Sequence, residues 1–140
     1  HRDSQYWPFW SKKGLFTAWI ALTKVTKKSG PVKFVINSHT WESLSGLDFF
    51  NKNLKKQNKI IKDRCASEKI ILGTLGKGEV SIHSSLTYHS SGKNVEEKPR
   101  VGLVVHFCNE EAKQIKTDKK YTSSLKFLAN DRVSPVIYEK

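Results

Sequence analysis

Apolar runs in this chain are short, and glycine or proline cuts each of them off. Leu15 to Leu22 begins just after Gly14, and Val32 to Ile36 begins just after Gly30-Pro31. Lys69 to Leu72 and Glu79 to Ile82 are separated by Gly73, Gly76 and Gly78. From Val101 to Phe107 the residues Val101, Leu103, Val105 and Phe107 alternate with Gly102, Val104 and His106. Period-two alternation and β-branched runs bounded by turn residues predict strands, because successive side chains of a strand point to opposite faces. Several strands of this length predict an all-β sandwich or barrel.

Residues 40–66 break the pattern. They are polar, with Asn51, Asn53 and Asn58 among apolar Phe49, Phe50, Leu54, Ile60 and Ile61. We read them as a short helical or irregular insertion within one domain spanning residues 1–140. Pro8 argues against a helix or central strand through the aromatic segment Tyr6-Trp7-Pro8-Phe9-Trp10. The tail from Asn109 is polar until Val136-Ile137-Tyr138.

Composition narrows the function classes. Hydrophobic residues are 37% and aromatic residues 11%, enough for a modest core. No apolar stretch approaches the roughly 20 residues that span a bilayer, so no membrane partner is expected. Cys65 and Cys108 do not form a metal-binding pair, and two such residues read as free thiols in a reducing, cytoplasmic setting. The net charge of +12 comes mostly from scattered lysine, as at Lys12-Lys13, Lys27-Lys28, Lys55-Lys56 and Lys119-Lys120. Scattered lysine without interleaved arginine and aromatic residues describes a solvated surface, not a nucleic-acid site. The chain contains no Met and opens abruptly on His1-Arg2-Asp3. We expect a fragment whose upstream part is absent.

His1-x-Asp3 places an imidazole and a carboxylate at i and i+2, which share one face of an extended segment. His89 is the best candidate for a third ligand, and His83, six residues before it, is a rival. Two histidines and one carboxylate leave open positions on iron for O2 and a chelating co-substrate. A His-x-Asp pair by itself is a weak motif, more often found as a surface pair. Arg100, eleven residues past His89 and at the entrance of a predicted strand, can pair with a carboxylate through its planar fork. It can equally be a surface arginine beside the Pro99 turn. His39 fits a turn. His106, out of phase with the apolar residues of its strand, points into a pocket or to solvent. Tyr6, Trp7 and Trp10 line a substrate entrance or pack the core.

The blocks His1-Arg2-Asp3-Ser4-Gln5-Tyr6-Trp7-Pro8, Thr17 to Leu22, Ser29-Gly30-Pro31 with Ser38-His39, Gly78-Glu79-Val80, Leu86 to Gly92 and Pro99-Arg100 occur in order and at matching spacing. Ser134 to Tyr138 adds a closing block. In these features the chain resembles the phytanoyl-CoA dioxygenase family of 2-oxoglutarate-dependent oxygenases. The resemblance implies a double-stranded β-helix, or jelly roll, here N-terminally incomplete. It implies Fe(II) held by His1, Asp3 and His89. Arg100 would bind the distal carboxylate of the co-substrate 2-oxoglutarate, with Ser91 and Trp19 lining its pocket. The implied reaction hydroxylates an unactivated C–H bond of a small organic substrate with O2, releasing succinate and CO2. Related halogenases replace the ligand carboxylate with a small residue, so Asp3 points to hydroxylation. The turn before His39 reads Ile36-Asn37-Ser38, where members often have Pro-Gly-Ser.

Two other classes fit part of the pattern. One is a non-catalytic or inactive jelly-roll domain that binds a small ligand. The other is a copper oxygenase chelating its metal through an N-terminal histidine, which gives no reason for Asp3 or Arg100 at these spacings.

Overall fold

The computed structural model describes residues 1–7, 9–45, 47, 54–115, 126–128 and 130–138. Its strands are β1 (Leu15–Ala21), β2 (Val32–Val35), β3 (Ile70–Gly73), β4 (Val80–Ser84), β5 (His89–Ser91) and β6 (Gly102–Cys108). One helix, α1, spans Leu54–Cys65, and 3-10 turns occupy Asp3–Gln5 and Ser38–Thr40. The strands form two antiparallel sheets in the orders β4-β1-β6 and β3-β2-β5. This is the layered, all-β architecture expected of a jelly-roll core.

Each predicted apolar run becomes a strand within a residue or two of its expected ends. The helix falls inside the polar 40–66 stretch. Its half-buried positions, Gln57, Ile60, Ile61 and Cys65, recur at helical spacing. Lys62 and Arg64 in its last turn complement the helix dipole. The Arg64 guanidinium also lies 3.7 Å from the Trp41 ring centroid and 2.8 Å from Glu68. Phe49, Phe50, Asn51, Asn53, Pro8 and Lys119-Lys120 lie outside the described residues. Val136, Ile137 and Tyr138 are exposed and form no strand. Cys65 and Cys108 are free thiols.

β1 runs through the middle of the first sheet and sets its height. Thr17 pairs with His83 on β4 and with His106 on β6, and Trp19 pairs with Ser81 and Val104. Leu15, Thr17 and Ala21 are buried on one face of β1, while Phe16, Ala18 and Ile20 point the other way. The same register turns Leu103, Val105 and Phe107 outward, with Leu103 51% exposed. The alternating apolar set of β6 is therefore the outer one, and the face shared with Thr17 and Trp19 carries Val104 and His106, both exposed.

β2 is the centre of the second sheet. Phe34 pairs with Ile71 and His89 and reaches the first sheet, its ring 5.0 Å from that of His83. Phe34 and Val35 join Phe9, Leu15, Ala21, Val25 and Tyr88 as the buried apolar core. β5 has only three residues and a polar sequence. It forms because β2 lies on one side and His1 on the other: His1 N donates to the His89 carbonyl and His89 N–H to the His1 carbonyl, each at 3.0 Å. That pairing is tertiary, which explains why no strand is evident in the residues 89–91 alone.

Candidate metal centre

Two local structures bring the ligand candidates together. Arg2 has extended backbone, so His1 and Asp3 project to one side, and the chain then closes into the 3-10 turn at Asp3. The i, i+2 argument holds across that one extended residue, although Asp3 itself is not in a strand. The His1–His89 backbone pair sets the two imidazoles with ring centroids 4.3 Å apart. Asp3 Oδ1 is 3.3 Å from His89 Nε2 and 3.7 Å from His1 Nε2. One donor atom from each of His1, Asp3 and His89 lies within 4.8 Å of the other two. Donors bonded at about 2.0–2.2 Å to one metal on adjacent positions stand about 3 Å apart. The three residues therefore fit a divalent metal after small adjustments.

The protonation pattern makes the same point. His89 Nδ1 lies 3.0 Å from the Thr87 carbonyl, which only accepts, so Nδ1 carries the hydrogen. Burial pushes the His89 imidazole below its usual pKa, despite the Thr87 bond and the Asp3 charge, and keeps it neutral. Its Nε2 then offers a lone pair toward Asp3 Oδ1, another acceptor, at 3.3 Å. With Nε2 unprotonated, both atoms are free to ligate one metal ion. Fixing the ring through the far nitrogen is how proteins orient a ligating histidine.

Asp3 is 6% exposed. Burial by itself would raise its pKa; contacts from His83 and Thr17, with the fields of His89 and His83, outweigh it and hold the carboxyl below the usual range. Its second oxygen faces away from His1 and His89. Thr17 Oγ1 donates to Oδ2 at 2.5 Å, and His83 Nε2 stands 3.2 Å from the same oxygen, off the line of a well-formed hydrogen bond. Thr17 also contacts His106 Nδ1 at 3.0 Å.

The remaining candidates sit around this centre. Trp19 lies on the inner face of β1, and its indole covers Gly102, where a Cβ would collide with ring carbon Cζ2. The Arg100 guanidinium is 5.4 Å from the same ring, and its Nη1 is buried with no hydrogen-bond partner among the described residues. That orphaned donor fits an absent carboxylate. Ser91 is two residues past His89 on β5, paired with Val32 and exposed. His39 is exposed on the Ser38–Thr40 turn. His106, exposed on the Thr17 face, lines the smaller of two cavities that border the centre, with Trp7 edge-on at 4.7 Å.

Two cavities border the centre. One of about 280 Å³ is lined by His1, Asp3, Tyr6, Trp7 and His106. The other, about 630 Å³, lies between α1 and the second sheet and touches only His1 and His89 of the proposed ligands. The smaller one is the one of the two with Asp3 in its lining. Tyr6 and Trp7 line this cavity, whereas Trp10 pairs with Gln114.

Sequence reasoning passed over Arg2 and Thr17. Arg2 is 3% exposed; its Nη2 donates to the carbonyls of Ser38, Trp41 and Glu42 at 3.2, 2.7 and 3.2 Å, and its guanidinium stacks 4.3 Å from the Tyr88 ring. It ties the ligand turn to the loop after β2. Nothing in the spacing of Arg2 signals this, because its partners are backbone carbonyls some forty residues away. Thr17 could have been found by its polarity on an otherwise apolar strand.

No helix among the described residues is long and apolar enough to cross a membrane. No curated protein matches the chain. Among solved structures it is similar to the non-haem α-ketoglutarate-dependent carbocyclase SnoK from nogalamycin biosynthesis, with a TM-score of 0.68 and 22% identity over 89% of this chain and 48% of that one. It is also similar to the epimerase SnoN from the same pathway, with a TM-score of 0.63 and 23% identity over 86% of this chain and 42% of that one. A third is the non-haem monooxygenase ThoJ in its nickel complex, with a TM-score of 0.56 and 20% identity over 81% of this chain and 38% of that one. The chain spans less than half the length of these structures, and likeness at such identity speaks to the fold. The family model for phytanoyl-CoA dioxygenase matches residues 1–102, which takes in every ligand candidate and Arg100 but not the block at Ser134–Tyr138. The chain belongs to the phytanoyl-CoA dioxygenase family.

Proposed function

We propose that this chain carries the metal-binding core of an Fe(II)- and 2-oxoglutarate-dependent dioxygenase that hydroxylates an unactivated C–H bond of a small organic substrate. The observation that carries this reading is the convergence of one donor atom from each of His1, Asp3 and His89 within 4.8 Å, in a chain whose residues 1–102 match the family model. Fe(II) with 2-oxoglutarate, when bound, supplies the oxidising power by coupling O2 reduction to decarboxylation of the co-substrate to succinate.

The chain's own residues would do the rest. His1, Asp3 and His89 hold the metal on one face and leave the opposite positions open. Arg100 directs its buried Nη1 at the distal carboxylate of 2-oxoglutarate, with Trp19 as a flat wall and Ser91 at the rim. Tyr6, Trp7 and His106 shape the substrate cavity. The retained carboxylate at Asp3 favours hydroxylation over halide transfer. Epimerisation and carbocyclisation are the competing outcomes, because SnoN is an epimerase and SnoK a carbocyclase.

The experiment uses the full chain with Fe(II), 2-oxoglutarate and O2. Succinate release should vanish in Asp3→Ala, and Arg100→Ala should raise KM for 2-oxoglutarate by at least about tenfold, the size of one lost charged pair. Wild-type turnover in Asp3→Ala would show the ligand assignment to be wrong. Label from 18O2 appearing in the organic product identifies hydroxylation; an unlabelled product identifies epimerisation or ring closure.

A further inference from the structure

Asp3 has two oxygens in unlike surroundings. Oδ1 faces His89 and His1. Oδ2 faces Thr17 and His83, both on the inner face of the first sheet and paired with each other in register. An ionised carboxylate only accepts hydrogen bonds, so the single Thr17 hydroxyl proton goes to Oδ2. Thr17 Oγ1 must then accept from His106 Nδ1, its other neighbour at 3.0 Å. Trp7 packs edge-on against the back of that imidazole. His83 is held by packing between Phe34 and His89, with ring centroids at 5.0 and 4.7 Å. Its side chain is 8% exposed, and neither ring nitrogen has an aligned hydrogen-bond partner among the described residues.

We propose that Thr17, backed by His106 and joined by His83, is a positioning residue that reserves Oδ2 of Asp3 and leaves Oδ1 as the single oxygen offered to the metal. The inference rests on the metal-site reading above and deepens it. Its consequence is chemical. A carboxylate bound through both oxygens would occupy one of the positions that a chelating co-substrate and O2 need together. Holding Oδ2 in a charge-assisted bond to Thr17 keeps that position open.

The test titrates the metal-free full chain with Co(II) alone and reads the dissociation constant. Thr17→Val keeps the shape and removes the donor, and it should weaken Co(II) about 10–100-fold, as loss of a residue that orients a ligand does. Thr17→Ser keeps the hydroxyl and should restore binding to within about threefold of the unmodified chain, well inside that loss. If Thr17→Val binds Co(II) normally while Asp3→Ala has lost it, the clamp is wrong and the metal site stands. If Asp3→Ala also binds normally, the metal-site reading itself falls. Should circular dichroism show that Thr17→Val is unfolded, Thr17→Ala, smaller and also without the hydroxyl, decides: a loss of about tenfold that Thr17→Ser does not show supports the clamp, and unchanged affinity overturns it.

Discussion

Arg2 is the residue whose loss should be felt most without touching the metal. Its guanidinium satisfies three backbone carbonyls of the Ser38–Glu42 loop and stacks on Tyr88. Arg2→Ala leaves those acceptors short of a donor, and we expect a loss of about 2–3 kcal/mol, checked by urea denaturation. Gly102 is a second such position. A Cβ there would collide with the Trp19 indole, so Gly102→Ala must push the ring aside. About 1–3 kcal/mol of stability is the expected cost of such overpacking, together with a raised 2-oxoglutarate KM in turnover assays, because Arg100 lies against the same ring. At this scale the ligand candidates were readable from the sequence and their supports were not. His1, Asp3 and His89 are chemically distinctive residue types. Arg2, Thr17 and Gly102 are ordinary residues whose roles depend on what arrives opposite them.

Strand edges and turns decide how the two sheets meet. Gly30 sits before β2 with φ +71, and a Cβ there would collide with the Gly92 carbonyl just past β5. An alanine would suffer both the left-handed backbone and the clash. Gly30→Ala should lower the thermal midpoint by several degrees, corresponding to about 1–3 kcal/mol, measured by circular dichroism. The Gly30-Pro31 punctuation in the sequence predicts the turn, but not that β5 closes on it. β6 teaches the converse. Its alternation was plain, yet its apolar set, Leu103, Val105 and Phe107, faces outward. Alternation gives the period of a strand and leaves its phase open. The register against β1 puts His106 beside Thr17 instead.

Across the whole molecule, pH and surface have consequences. In the metal-free protein, Asp3 titrates below its ordinary value of 3.8, and His89 below 6.5. Both depressions mean that the folded state binds fewer protons than the unfolded chain. The stability they contribute is fully present above the ordinary value and lost as the pH falls through the folded one. The melting temperature of chelator-treated protein should therefore fall on acidification below 6.5, and again below 3.8. Burial also holds His106 below 6.5 and adds to the first decline, so His89→Gln should lessen that decline and leave the second. A pH-independent melting temperature between 6.5 and 3.8 would contradict the burial of His89. The outer face of the first sheet, with Ile82 65%, Leu103 51% and Val80 46% exposed, is a large apolar surface. Such faces bind hydrophobic dyes. Residues 1–140 alone should enhance the fluorescence of the dye ANS, and the double change Ile82→Glu, Leu103→Lys should reduce it.

From the sequence alone came the strand-rich class and a helical or irregular insertion at 40–66, which rest on period and punctuation, local properties. The candidate triad with Arg100 came from blocks that resemble the family in order and spacing, since His1-x-Asp3 by itself is a weak motif. Only the tertiary structure decided which face of β6 is inner, that Ser-rich 89–91 is a strand, and that Thr17 and His83 meet the second oxygen of Asp3 with His106 behind Thr17. The reason is register. A shift of one residue between β1 and its neighbours would turn both flanking histidines to the other face of the sheet. Nothing local in the chain specifies that pairing; the burial of Leu15, Thr17 and Ala21 against the second sheet does.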